Sequence, residues 1–168
     1  MESKIKMFQI AESSGMLGLL KDKPNVVGAF LNLAHEVMHT ESALSTLNRE
    51  ILGAYVSKKF GCSYCHLGHE ETVFALGGEE AKKLVNKPTP ELENIFEIAD
   101  KVVANTINEK EVLSFLGKGF TEQQYEDIVF VCGLFGFANR MVTGFGMQYK
   151  AERDEASSRY LAKGYKFK

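Results

Sequence analysis

Apolar residues in this chain recur at three- and four-residue spacing, and no stretch sustains the period-two alternation of a half-buried strand. With only three prolines to interrupt it, that pattern commits the chain to an all-α fold. Pro24 opens a helix over about 25–39, with Val27, Leu31, Ala34 and Met38 along one face. Ser45 caps the next helix, which runs to about Lys59 and stops at Phe60-Gly61. A third helix begins near Cys62-Ser63 and ends at Gly77-Gly78, followed by a short helical stretch from Glu80 to Val85. Thr89-Pro90-Glu91 combines a cap, a first-turn proline and an early acid, and its helix buries Leu92, Ile95, Phe96, Ala99 and Val103. A short helix from Asn108 is closed by Gly117 to Gly119. Thr121-Glu122-Gln123-Gln124 is a capping box that opens a long apolar helix through Ile128, Cys132, Phe135 and Asn139 to about Met147. The tail from Lys150 reads as polar and helical, with Tyr160, Leu161, Tyr165 and Phe167 available to pack on the domain or on a neighbouring subunit.

No linker, repeat or low-complexity block divides the chain, so residues 1–168 read as one domain, with a core over about 24–147 and the tail over about 150–168. That length is enough to bury a hydrophobic core. A net charge of −2 and a pI near 6.1 leave no electrostatic footprint for nucleic acid. No run of about 18 uninterrupted apolar residues occurs, so no membrane span is expected. The opening residues, Met1 to Lys6, lack the apolar core of a secretory signal, which makes a cytoplasmic location the expectation. Thiols stay reduced there, so the three cysteines read as catalytic, metal-binding or core residues rather than a disulfide framework.

The chemistry-bearing cluster is Cys62-Ser63-Tyr64-Cys65-His66-Leu67-Gly68-His69. On a helix, positions 62, 65, 66 and 69 share one face, so two thiols and two imidazoles project together. A Cys-x-x-Cys pair at a helix start can close into a disulfide, and the positive end of the helix dipole favours a thiolate there. His69, one turn beyond Cys65, is placed to take its proton. Glu50 shares a stripe of the preceding helix with Leu47, Ile51 and Ala54. A carboxylate in such a stripe is costly unless partnered, and the Phe60-Gly61 turn makes His69 and the thiols its nearest candidates. The other reading is a solvent-facing carboxylate with a charged neighbour one turn away.

Glu50, eleven residues, Cys62-x-x-Cys65, three residues, His69 resembles the signature of alkylhydroperoxidase D-like proteins, part of the carboxymuconolactone decarboxylase-like superfamily. The flanks agree: Leu44-Ser45-Thr46-Leu47-Asn48-Arg49-Glu50 resembles the start of that family's catalytic helix, and Phe135-Gly136-Phe137-Ala138-Asn139-Arg140 is similar to a later helix of its peroxidase-related branch. The resemblance spans roughly Pro24 to Met147 and implies an all-helical protein assembled as a homo-oligomer, a trimer or hexamer. It implies a hydroperoxidase in antioxidant defence in which Cys65 attacks a hydroperoxide while His69 and Glu50 handle its proton. Cys62 then resolves the sulfenic acid to a disulfide, and a partner thiol protein reduces that disulfide. The same pair could instead serve as a disulfide reductase for a partner peroxidase. No cofactor is implied, although adventitious zinc would bind such thiols. Some family members place a relay histidine between the cysteines; this chain has Tyr64, with His66 just beyond as the candidate substitute.

Rival motifs are weaker. His35-Glu36-Val37-Met38-His39 matches H-E-x-x-H but lacks a third zinc ligand downstream, so helix packing is the expected role of both histidines. Cys62-x-x-Cys65-His66 matches a c-type haem attachment sequence, which ordinarily follows export. Zinc held by Cys62, Cys65 and His69, with or without Glu50, would make the chain a metal-binding module, but one helix face is an unusual source for all the ligands. Non-redox decarboxylase chemistry, as in the superfamily's namesake, does not depend on a Cys-x-x-Cys pair. Cys132 reads as a buried small hydrophobe, and Tyr125, Phe130 and Phe137 as core or interface residues.

Overall fold

Side-chain caps set four of the helix starts. The computed structural model describes residues 5–166 and contains α1 (Lys6–Asp22), α2 (Pro24–His39), α3 (Thr46–Lys59), α4 (Ser63–Lys83), α5 (Pro90–Val103), α6 (Glu109–Gly117), α7 (Glu122–Gly144) and α8 (Ala151–Tyr160), then a 3-10 turn, Leu161–Lys163. No strand occurs among the described residues, and the chain is all-α as its periodicity predicts. The Ser45 hydroxyl accepts from the Asn48 N–H at 3.1 Å to start α3, and Thr89 does the same for Leu92 at the start of α5. Asn108 with Glu111 and Thr121 with Gln124 form complete capping boxes for α6 and α7. Each cap stabilises its helix by about 1 kcal/mol.

Three boundaries differ from the sequence reading. α1 has no counterpart in it: the helix is kinked at Gly15 and buries only Ala11, Gly15, Gly18 and Leu19, a set too small to form an apolar stripe. α4 passes beyond Gly77-Gly78 to Lys83, although Gly78, at φ 71°, breaks its geometry where a stop was expected. α7 ends at Gly144 rather than Met147, because Gly146 turns the chain at φ 67° and the Met147 N–H closes back on the Val142 carbonyl at 3.1 Å. Phe167 lies outside the described residues.

The core is centred on α7, which packs against α2, α3 and α5 and buries Ile128, Val131, Phe135 and Val142. Each such aliphatic or aromatic side chain contributes roughly 1.5–3 kcal/mol on leaving water. By length and composition α7 could cross a membrane, yet ten of its residues are buried in this core. α3 supplies Ile51, Leu52, Ala54 and Val56 to the same core and packs most extensively on α4. It meets α7 so closely at Gly53 that an added Cβ would lie 2.4 Å from the Phe135 ring.

The two ends of the chain are tied together. Arg153 of α8 donates to the Ala11 and Glu12 carbonyls of α1 and to the Gln148 carbonyl, while its Nη2 pairs with Asp154 at 2.6 Å. α8 lies along α4, where the Thr72 hydroxyl donates to the Ser158 carbonyl at 2.9 Å. The tail is therefore a wall of the domain, and it approaches the helix that carries the two cysteines.

Candidate active site

Cys62 is the N-cap residue of α4, and Cys65 sits one turn into the helix. Both are buried free thiols. Cys65, the Tyr64 and Cys65 backbone and the Thr143 side chain lie around the Cys62 sulfur. Against the opposing effect of burial, these neighbours bring the Cys62 thiol down to about pKa 6. Cys65 moves the other way. Hydrogen-bonded to Cys62 and buried beside it, it is held well above the usual thiol value. The two thiols are thus shifted in opposite directions, Cys62 down and Cys65 up, whereas the family resemblance assigns the attacking thiolate to Cys65.

Glu50 is fully buried on α3. Its position follows from the residue before it: the Arg49 guanidinium donates to the Val37 and Thr40 carbonyls at 2.6 and 2.7 Å, closing the C-terminal end of α2. Asp127 of α7 accepts from the Leu44 N–H at 2.7 Å and from the Ser42 hydroxyl, which fixes the α2–α3 loop. Glu50 Oε2 then meets His69 Nδ1 at 2.7 Å, and Oε1 accepts from the Tyr165 hydroxyl at 2.8 Å. The buried, partnered arrangement holds, rather than the solvent-facing one. With Nδ1 committed to Glu50, His69 has Nε2 left for the cavity that it lines with Cys65. The Phe135 ring stands edge-on to His69 at 4.7 Å. One turn further along α7 is Asn139, a buried amide with no hydrogen-bond partner among the described residues, and one turn beyond that is Thr143.

The cavity holds about 120 Å³ and is mostly apolar, with Leu31, Phe30, Ala138, Val142 and Leu161 among its walls. Tyr64, Cys65, His69 and Tyr165 supply polar groups at one side, and Ser14, Arg153, Asp154, Ser157 and Ser158 at the other.

His66 does not join the site. Its Nδ1 lies 3.0 Å from the Ala54 carbonyl and its Nε2 3.6 Å from Glu70, so α3 draws the ring away from the thiols that helical spacing groups it with. Tyr64 lines the cavity, but its hydroxyl accepts from the Met16 N–H at 3.4 Å and braces the kink of α1. Burial and the nearby Asp154 push that hydroxyl far above the usual tyrosine range, so it stays protonated. Cys132 is buried against the Ala99 carbonyl and pushed up to about pKa 12 by burial, in keeping with its reading as core. Among the described residues no three His, Cys, Asp or Glu side chains are disposed to hold a metal ion.

Tyr165 is the site residue that sequence reasoning missed. It lies in the polar tail, outside any periodic stripe, and only the tail's aromatic content marked it. His39 also reaches the site, with Nε2 3.9 Å from Glu50 Oε1, although its helix pattern assigned it to packing.

No family model and no curated protein matches the sequence. Solved structures do. An uncharacterized peroxidase-related protein from Silicibacter sp. TM1040 is similar at TM-score 0.72 and 25% identity, over 83% of this chain and 78% of its own. The alkylhydroperoxidase AhpD core of an uncharacterized peroxidase-related protein from Ralstonia eutropha JMP134 is similar at TM-score 0.73 and 23% identity, over 86% of this chain and 80% of its own. The helical order, the single core and these two likenesses agree: the chain has the all-helical alkylhydroperoxidase D-like fold.

Proposed function

We propose that the protein is a dithiol hydroperoxidase in which Cys65 meets the peroxide and Cys62 resolves the product. The observation that supports this most is that Cys65 and His69 line one apolar cavity while Glu50 holds the other nitrogen of His69 at 2.7 Å. His69 Nε2 takes the Cys65 proton, and the Glu50 carboxylate balances the resulting imidazolium. The Cys65 thiolate attacks the terminal oxygen of the hydroperoxide, and the O–O bond breaks. The leaving alkoxide takes the proton from His69 and departs as an alcohol, with Cys65 left as a sulfenic acid. The Cys62 thiolate then attacks the Cys65 sulfur, and hydroxide leaves and is protonated to water as the Cys62–Cys65 disulfide forms. A dithiol partner restores both thiols through a mixed disulfide. Being ionised above about pH 6, Cys62 needs no base of its own for the resolving step.

One observation favours a second role for the same pair, as disulfide reductase of a partner peroxidase. Thiol–disulfide exchange is fastest for an attacking thiol whose pKa lies near ambient pH, and Cys62 meets that condition. Self-association belongs to the proposal too, since Val26, Leu33, Phe130 and Phe137 leave an apolar face on α2 and α7 suited to a second copy.

The test measures consumption of cumene hydroperoxide with dithiothreitol as reductant, alongside reduction of a small aromatic disulfide. Cys65→Ser should abolish peroxide consumption, and Cys62→Ser should leave a dimedone-reactive sulfenic acid on Cys65. Undiminished turnover in both single variants would sink the proposal. Disulfide reduction without peroxide consumption would select the second role.

A further inference from the structure

The His35-x-x-x-His39 pair of α2 has a use that neither packing nor zinc explains: it receives the C-terminal segment. The Tyr165 N–H donates to His35 Nδ1 at 3.3 Å. Gly164, at φ 110°, lies so close that a Cβ there would fall 2.7 Å from His35 Cε1, so only glycine satisfies both the backbone and the contact. The His35 ring stacks on His39 at 5.7 Å with 7° between planes, and His39 meets the Tyr165 ring edge-on at 5.7 Å. Tyr165 is thereby led into the core, 5% exposed, with its hydroxyl on Glu50 Oε1 at 2.8 Å and 3.5 Å from His69 Nδ1.

We infer that Tyr165 is a positioning residue for the dithiol chemistry: its hydroxyl orients the Glu50 carboxylate toward His69, and His35 holds Tyr165 in place. This deepens the dithiol reading and rests on it for the identity of the reacting sulfur. Glu50 is a buried anion with two strong partners, one on each oxygen. If the Tyr165 donor is removed, the carboxylate loses the hydrogen bond on Oε1 and with it the contact that turns Oε2 toward His69. An imidazole whose carboxylate partner is out of line is a weaker acceptor for the Cys65 proton.

The other charged or titratable groups around Glu50 do not replace that donor. His39, from α2, is turned toward its neutral form, chiefly by burial, and its Nε2 stands 3.9 Å away with no hydrogen bond made. Arg49, beside Glu50 on α3, spends its guanidinium on the Val37 and Thr40 carbonyls. From α4 come His69 itself and the Cys65 thiol, which lines the same cavity as Tyr165. α5 directs Asp100 to Tyr55 and Lys59 instead, and α7 sets the uncharged Phe135 ring against His69.

The experiment follows the pH dependence of Cys65 alkylation by iodoacetamide in the full-length reduced Cys62→Ser protein, where no second thiol competes for the reagent at the site, read at Cys65 by peptide fragmentation, with cumene hydroperoxide turnover of the same variants measured in parallel with Cys62 in place. Tyr165→Phe keeps the ring contacts and removes only the hydroxyl. It should move the acidic limb of the Cys65 profile up by about one pH unit, which is about a tenfold loss of rate on that limb. His35→Ala should shift the limb in the same direction, whereas His35→Asn, whose side-chain oxygen can stand in for Nδ1, should keep the parent profile. An unchanged limb in Tyr165→Phe, with or without a lower Tm, overturns the inference. If Tyr165→Phe folds poorly, the comparison of His35→Ala with His35→Asn decides it, and identical profiles overturn it. A shifted alkylation limb in a protein that consumes no hydroperoxide would refute the hydroperoxidase reading and leave the positioning role standing. Turnover with no shift would do the reverse.

Discussion

Gly53→Ala tests whether helix packing controls the site. Taken alone, replacing an interior helical glycine by alanine should stabilise α3 by about 0.8–1 kcal/mol. The structure predicts the opposite sign. The new methyl would stand 2.4 and 2.6 Å from two carbons of the Phe135 ring, where carbon–carbon contact is favourable only beyond about 3.5 Å. The ring must therefore retreat by about 1 Å within a core where Phe135 is 2% exposed. Overpacking costs about 1–3 kcal/mol, and an overlap of about 1 Å with an enclosed ring belongs in the upper part of that range, about 2–3 kcal/mol, which leaves a net loss of about 1–2 kcal/mol after the helix gain. For a chain of this size that is a fall of roughly 2–8 °C in Tm. Because Phe135 stands edge-on to His69 at 4.7 Å, Cys65 alkylation should slow as well. Thermal unfolding of Gly53→Ala, Phe135→Leu and the double variant supplies the assay. The smaller leucine makes room for the methyl, so the double variant should be more stable than the two single losses predict, by at least about 0.5 kcal/mol. A rise in Tm for Gly53→Ala, with additive behaviour in the double variant, would refute the reasoning.

Two further expectations concern proton equilibria. Cys62 alkylation should be half-maximal near pH 6 and fall as pH drops below it, and Thr143→Val, by removing one donor to the thiolate, should raise that midpoint by roughly 0.5–1 unit; a midpoint near the free-thiol value in the unmodified protein would contradict the downward shift of Cys62. His39 is held below its ordinary 6.5, chiefly by burial, so the unfolded chain takes up a proton there before the folded one does. Its contribution is therefore constant above about pH 6.5 and turns destabilising as pH falls below it, and His39→Gln should flatten the decline in urea midpoints between pH 6.5 and 5; an equal slope in both proteins would argue against it.

Much of this fold was legible because its signals are local. A cap touches residues within one turn of itself, so Ser45, Thr89, Asn108 and Thr121 could be recognised without tertiary information. The stripe of α5 was legible for a related reason, because one face is buried and the other is wet. α1 offered no such contrast. Its small buried residues matter for close approach to α8, which a hydrophobic pattern does not record. The candidate site divides in the same way. Glu50, Cys62, Cys65 and His69 lie on two helices joined by a short turn, and their spacing carries most of their geometry. His66 shows the limit, since helical spacing groups it with the thiols while the Ala54 carbonyl turns its ring elsewhere. Tyr165 is separated from Glu50 by 115 residues, and nothing near it in the chain indicates where its hydroxyl lands.

The Arg153 clamp also bears on how the molecule opens. α1 buries little apolar surface of its own; it packs on α2 and is tied to α8 by the Arg153 guanidinium. Ser14, Met16 and Leu17 on one side, and Asp154, Ser157 and Ser158 on the other, wall the cavity over Cys65. When α8 lifts, α1 loses its tether, and both walls are released in a single sub-global fluctuation rather than by independent fraying. Amide protons in the two helices should then exchange with deuterium at a common free energy, although they lie at opposite ends of the sequence. A reagent too large for the closed cavity samples Cys65 only during that fluctuation, so its rate contains an opening equilibrium that a small electrophile does not encounter.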